Sequence, residues 1–272
     1  MPGNETNAKK NTSFVVEAGI ISVSSFLVKV IGVLFKIPLA NLLGEHMGIF
    51  TAAYSLYAMI YMVSTCGLPV AISRMVSASA EKGREKEATR ILRVALVAFV
   101  VIGALATGVM MLLARPFLQA TSHANSEIAA YVIAPSLLFV CVVSAFRGYY
   151  QGLRNMYPTA VGQLIEAVLK FGLGLGATIW ASRRGFSPAV QAACAISGIT
   201  AGILLEMIML FVYRLVTRKK RPEGTDPQCT PVPVLTLRVL IIALPATVTS
   251  SALYLSNFLD TILIKTGLLA GG

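Results

Sequence analysis

The feature of this 272-residue sequence that most constrains its fold is a series of long apolar runs. Each run approaches or exceeds the about 20 residues that a helix needs to cross a hydrocarbon core of about 30 Å. Strands of a transmembrane barrel would be about 10 residues long and alternate in character, which argues against a barrel. We therefore predict an all-α, multi-pass membrane protein with seven spans, at residues 14–43, 47–72, 91–114, 128–146, 158–181, 188–213 and 236–264.

The basic residues predict the orientation of these spans. The chain has 23 lysines and arginines against 12 acidic residues, a balance that would also suit a nucleic-acid-binding protein. If the N-terminus is cytoplasmic, however, 16 basic residues lie on the inner side and four on the outer side, in agreement with the positive-inside rule. We therefore predict a cytoplasmic N-terminus, the lipid bilayer as the partner of the basic loops, and no nucleic-acid partner.

Polar segments between the apolar runs predict the organisation of the chain. Residues 73–90 and 147–157 are predicted to be cytoplasmic connectors, because charges cluster there. The basic, proline-rich segment at 216–235 is predicted to separate two lobes. The predicted parts are a cytoplasmic tail (1–13), a six-helix transmembrane lobe (14–215), a cytoplasmic linker (216–235) and a seventh transmembrane helix that starts a truncated second lobe (236–272).

Catalytic and metal-binding signals are weak in this sequence. The four cysteines are scattered, and His46 and His123 are far apart, so neither residue type has the spacing of a metal site. No predicted loop carries the clustered acids that a membrane enzyme would need. We expect no enzyme activity, no metal and no cofactor other than a coupling ion, H⁺ or Na⁺.

Charged residues inside the predicted spans carry the functional signal, because an ionised side chain at mid-bilayer costs about 2.5–3.5 kcal/mol. On the first span, Ser25, Lys29 and Lys36 lie on one stripe of the helix. We expect this stripe to face other helices or a water-filled cavity. Lys29 and Lys36 are candidates for contact with an anionic group, or for structural pairing with an acidic residue inside the lobe.

The fifth predicted span has a similar polar face, formed by Gln163, Glu166 and Lys170. Glu166 precedes Lys170 by four residues, the favourable orientation for an ion pair on a helix. The pair is either structural or part of a ligand site. In the same span, Gly172 and Gly176 form a GxxxG pattern, which is typical of close helix packing.

The other polar candidates lie in or near the remaining predicted helices. Arg147 and Arg154 are predicted to lie in a cytoplasmic loop, either meeting lipid phosphate or serving as positive-inside anchors. Glu206 is expected near the inner end of its helix, with its carboxylate reaching the membrane surface. Asp260 in the seventh span is a candidate cation or proton site, as is Glu166.

Two segments carry a resemblance to a known family. The stretches GLPVAISRMVSASAEKG (67–83) and FRGYYQGLRNMYPTAVGQLIEAVLK (146–170) resemble the polysaccharide biosynthesis and stage V sporulation protein B group. That group belongs to the multidrug/oligosaccharidyl-lipid/polysaccharide (MOP) exporter superfamily, which includes the lipid II flippases. The resemblance implies two six-helix lobes around a central cavity and export of an undecaprenyl-linked sugar precursor across the bacterial plasma membrane. It also implies coupling to ion gradients or membrane potential.

The resemblance also directs attention to particular residues and to the length of the chain. Arginines line the cavity on helix one of the lipid II flippases, and their counterparts here are at best Lys29 and Lys36. The chain has about half of the family's length, so a second polypeptide or a longer reading frame is expected to complete the cavity. Two other functions stay open, a cation-coupled multidrug exporter and a membrane assembly subunit that transports nothing.

Overall fold

The computed structural model describes residues 3–65, 67–120, 124–218 and 241, and nearly all of them are helical. These residues contain no strand, so the predicted all-α fold is confirmed. Within them, nine α-helices follow one another: α1 (Gly3–Leu43), α2 (Met47–Thr65), α3 (Leu68–Glu81), α4 (Glu85–Ala120), α5 (Glu127–Ile133), α6 (Ser136–Gly152), α7 (Tyr157–Leu169), α8 (Leu175–Arg183) and α9 (Pro188–Arg218). A π-helical segment, Lys170–Gly174, joins α7 to α8.

Five helical runs in the described part of the chain are long and apolar enough to cross a membrane. The first run, Gly19–Glu81, has 63 residues and contains the short 3₁₀ turn Gly44–His46, which separates α1 from α2. We count this run as two crossings, which makes six in the described residues. The protein is thus a multi-pass membrane protein. The predicted seventh span, and the predicted linker from residue 219 onward, lie outside the described residues apart from Ile241.

The helices extend further into the polar segments than the hydropathy pattern predicts. The connector predicted at 73–90 is largely helical, because α3 continues to Glu81 and α4 begins at Glu85, and its cytoplasmic location stays a prediction. The actual turn is three residues long and contains Gly83, whose φ of 70° suits the end of a helix. Hydropathy indicates which residues lie within the membrane, not where a helix ends. Polar segments rich in alanine and glutamate, such as these, favour helix outside the membrane as well. The cytoplasmic location of residues 1–13 stays a prediction.

Proline residues fix where several helices begin. Pro69 lies in the first turn of α3, and Pro158 lies in the first turn of α7. Proline suits this position because its missing N–H would have no intrahelical partner there. The span predicted at 47–72 is consequently divided into α2 and the start of α3.

Helix α6 lies at the centre of the lobe, where it packs against α3, α4 and α9. Helix α7 packs between α9 and α1. Two contacts place the turn after α3 and the turn after α6 at the same end of the lobe as the last turns of α9. Arg154 forms an ion pair with Glu81 at 3.1 Å, and Arg214 donates a hydrogen bond to the Thr89 hydroxyl at 3.0 Å.

Candidate functional site

Three charged side chains from three helices meet inside the lobe, and we call them the buried charge cluster: Arg147 of α6, Glu166 of α7 and Glu206 of α9. Arg147 donates from Nε to Glu206 Oε1 at 2.9 Å and from Nη2 to Glu206 Oε2 at 2.6 Å. The same Nη2 donates to Glu166 Oε2 at 3.2 Å. The side chains are 16%, 29% and 0% exposed for Arg147, Glu166 and Glu206. The cluster therefore ties α6, α7 and α9 together.

Small residues make room for this cluster between α7 and α9. A Cβ atom added to Gly162 would lie 2.7 Å from Glu206 Oε1, and one added to Gly202 would lie 2.8 Å from the Glu166 carbonyl oxygen. Real Cβ atoms do not approach other atoms so closely, so both positions require glycine in this packing. The close approach of the two helices brings Glu166 and Glu206 to the same guanidinium.

The close helix packing predicted for Gly172 and Gly176 does not occur among the residues that the structure describes, where a Cβ atom on either glycine would meet nothing within 4 Å. The tight contact lies instead at Gly198, where an added Cβ would be 2.4 Å from the Gly174 backbone. The π-helical segment accounts for the difference, because it inserts an extra residue into the turn and shifts which face the glycines occupy.

The predicted environments of Arg147 and Glu206 are also wrong. The sequence predicts a loop at Arg147, but α6 continues past it to Gly152. It also predicts that Glu206 reaches the membrane surface, but α9 continues to Arg218 and leaves Glu206 in the interior. A single arginine between one buried and one partly exposed carboxylate gives the cluster a net charge of minus one when all three groups are ionised. Bidentate, charge-assisted bonds of this kind are among the stronger hydrogen bonds in proteins.

Lys170 lies beside the cluster, against aromatic rings rather than a carboxylate. Its Nζ atom is 5.3 Å from the centre of the Phe35 ring and 5.8 Å from that of Tyr54. The predicted ion pair with Glu166 is not formed, since Glu166 is bonded to Arg147, although its charge still acts on Lys170. Phe35 precedes Lys36 on α1, so the contact of Lys170 with the Phe35 ring brings Lys170 to the part of α1 that carries Lys36.

Lys29 and Lys36 are exposed on α1, and Ser25 is half-buried, whereas Phe35 on the same helix is buried. In the part of the chain that the structure describes, Lys29 and Lys36 therefore do not pack against another helix, and the predicted cavity beside them stays a prediction. Neither lysine forms an ion pair with a carboxylate in the described part of the chain, so the structural pairing considered for Lys29 and Glu166 is absent there.

Two further candidates complete the comparison with the sequence. Gln163 is half-buried on α7, and its Oε1 atom makes no hydrogen bond to the described residues. Asp260 lies outside the described residues. The sequence pattern does not connect Arg147 with Glu206, which are 59 residues apart. The available signal is that Arg147 directly follows the apolar run at 128–146 and that Glu206 lies within the run at 188–213.

Comparison with known proteins identifies the family. Residues 14–271 match the model of a family described as "Polysaccharide biosynthesis protein". The chain belongs to this family. It is 27% identical to the uncharacterized membrane protein YabM of Bacillus subtilis over 94% of this chain and 47% of that protein. It is also 27% identical to the lipid II flippase MurJ of the same organism, over 58% of this chain and 31% of the flippase. A third relative from that organism, stage V sporulation protein B, is 27% identical over 75% of this chain and 38% of that protein.

A solved structure supports the same assignment of fold. A MOP superfamily transporter from Pyrococcus furiosus superposes with a TM-score of 0.72 at 14% identity, over 90% of this chain and 54% of that protein. The resemblance to the MOP exporters inferred from the sequence is thus confirmed. The chain spans less than half of the length of these curated relatives and about half of that of the transporter.

Proposed function

We propose that the protein exports an undecaprenyl-pyrophosphate-linked sugar across the bacterial plasma membrane, and that this chain forms the first lobe around the export cavity. The observation that carries the proposal is a group of three cations, Lys29, Lys36 and Lys170. The first two are exposed, and none of the three forms an ion pair with a described carboxylate. Such an arrangement suits an anionic ligand.

The cost of placing lysines within a membrane crossing argues that they do not face lipid. Each ammonium in hydrocarbon would cost about 2.5–3.5 kcal/mol. The open side of α1 therefore meets water or a polar ligand at Lys29 and Lys36. A lipid pyrophosphate carries several negative charges on one compact group, which lysine ammonium groups attract as point charges without bidentate geometry. The hydroxyl of Ser25 and the small Gly32 leave room for its approach on the same stripe.

The relatives agree with this role. One relative is named as a lipid II flippase, and the solved neighbour is named as a transporter. We infer a transporter rather than an enzyme, with a cytoplasmic N-terminus, a coupling ion such as H⁺ or Na⁺ as the only bound cofactor, and no nucleic-acid partner. A second lobe, in the same chain or in a second polypeptide, would close the cavity opposite α1.

Complementation of a strain that lacks its own lipid II flippase tests this proposal, with the full-length version of the protein. Lys29→Ala should abolish growth at normal membrane abundance, because one charge contact is worth about 1–3 kcal/mol, or about 10- to 100-fold in affinity. Lys29→Arg should retain growth, since the charge is kept. The matched control is Lys86→Ala, which removes an exposed lysine at the end of the lobe. Failure of the unaltered protein to complement would contradict the proposal.

A cation-coupled multidrug exporter is the second candidate, and the net negative charge of the buried charge cluster favours it. One bound proton or cation would neutralise Arg147, Glu166 and Glu206 together. In this case Glu166→Gln should abolish drug efflux driven by an ion gradient. Asp260 is the second candidate ion site, and Asp260→Asn tests it in the same assay. A protein that is present in the membrane but supports neither export nor efflux would instead be an assembly subunit.

A further inference from the structure

Glu166 has two basic neighbours but forms an ion pair with only one of them. Arg147 lies 3.2 Å from its carboxylate and comes from another helix. Lys170 lies four residues further along the same helical run, within electrostatic range, yet forms no ion pair in the described part of the chain. The choice between these two partners sets how much of the positive charge of Lys170 stays available to an anionic ligand.

The local geometry alone would favour the other choice. Side chains four residues apart on a helix are neighbours, and glutamate preceding lysine is the favourable order. Glu166 pairs with Arg147 instead, because Glu206 fixes the position of the Arg147 guanidinium. Glu206 accepts hydrogen bonds from Arg147 Nε at 2.9 Å and from Nη2 at 2.6 Å, and in this position Nη2 also donates to Glu166. Glu206 itself is fully buried, and its ion pair in the described part of the chain is with Arg147.

We infer that Arg147, held by Glu206, is a positioning residue that keeps the Glu166 carboxylate away from Lys170. Lys170 then rests on the rings of Phe35 and Tyr54 with its charge not neutralised by a carboxylate. A cation–π contact leaves an ammonium free to attract an anion, whereas an ion pair largely cancels its charge at a distance. The consequence for ligand binding rests on the proposed function, because it requires that Lys170 meet an anionic headgroup.

The experiment must remove Arg147 without leaving an unpaired carboxylate in the interior. The variant Arg147→Gln with Glu206→Gln does so, because two amides replace the buried ion pair. In this variant Glu166 has lost its partner on α6 and is free to pair with Lys170. Adding Glu166→Gln gives a triple variant in which no carboxylate of the cluster remains to neutralise Lys170.

The first readout is the chemical reactivity of Lys170 in the purified full chain in lipid nanodiscs. A small neutral acetylating reagent reacts with unprotonated amines, and mass spectrometry gives the initial rate for Lys170 relative to Lys86. The rate should fall about tenfold or more in the double variant, the effect of an opposite charge that comes within about 4–6 Å of an ammonium. It should recover in the triple variant. An unchanged rate in the double variant, or no recovery in the triple variant, would overturn the inference.

The second readout separates this inference from the proposed function. Undecaprenyl pyrophosphate is the probe, and its binding to the same nanodisc samples is measured. Binding should weaken by about tenfold in the double variant and return in the triple variant. A purely structural role of Arg147 would instead leave the triple variant as impaired as the double. If the acetylation rates follow the expected pattern but the unaltered chain binds no probe, the positioning role stands and the headgroup role of Lys170 fails.

Discussion

Replacing Arg147 by methionine tests whether Glu206 depends on it as a buried partner. Methionine keeps much of the arginine stem, so the packing of α6 changes little while the charge is lost. Arg154→Met is the matched control, because Arg154 also bonds a glutamate, Glu81, at 3.1 Å. The two arginines are only seven residues apart in sequence, but Arg147 is buried on α6 whereas Arg154 is exposed in the turn after α6.

The expected magnitudes follow from the burial of the two ion pairs. Glu206 is 0% exposed and would keep an uncompensated charge, a situation that costs about 3–5 kcal/mol. The side chains of Arg154 and Glu81 are 51% and 63% exposed, and pairs of this kind are worth about 0–1 kcal/mol. For a chain of this size, Arg147→Met should lower Tm by about 6–20 °C and Arg154→Met by at most about 4 °C.

Thermal unfolding in detergent, followed by circular dichroism, measures both losses. The loss for Arg147→Met should be smaller at about pH 5 than at about pH 8, because protonation of a buried carboxylate removes its unpaired charge. Glu206→Gln added to Arg147→Met should restore most of the stability for the same reason. If Arg147→Met costs no more than Arg154→Met at neutral pH, the buried pair does not stabilise the lobe and this reasoning is refuted.

Two further outcomes test the packing and the orientation of the lobe. Gly198→Ala should destabilise the protein by about 1–3 kcal/mol, since its Cβ would meet the Gly174 backbone at 2.4 Å, whereas Gly172→Ala has open space and should be neutral in the same unfolding assay. In a background without the four native cysteines, a cysteine at Lys82 should resist an impermeant thiol reagent applied to intact cells, and one at Ser187 should react. Labelling at Lys82 without lysis would reverse the predicted orientation.

The fold was predictable from sequence because the membrane imposes strong constraints. Apolar length and the placement of lysines and arginines suffice to predict an all-α, multi-pass chain. The ends of the helices were not predictable from sequence. A charged residue such as Arg147 indicates a loop only if it lies outside the membrane, and the sequence does not show whether it does. Here its partner lies 59 residues away, on a helix whose packing no local pattern encodes.

The candidate site was predicted in part. The polar face of Gln163, Glu166 and Lys170 does lie on one helical run, as the spacing requires. Its internal pairing was predicted wrongly, because the spacing rule considers only partners on the same helix and Arg147 comes from α6. The roles of these residues in binding, and those of Lys29 and Lys36, stay predictions.

The exposed residues of α1, α4 and α9 differ in polarity. On α4, the exposed positions between residues 97 and 113 are all apolar, and on α9 the same holds between residues 205 and 216. These surfaces match hydrocarbon without cost. Helix α1 exposes Lys29 and Lys36 within its crossing, which hydrocarbon would penalise at each position. We therefore expect the lysine side of α1 to have an environment different from that of α4 and α9, and we predict that a ligand or a second lobe meets this side.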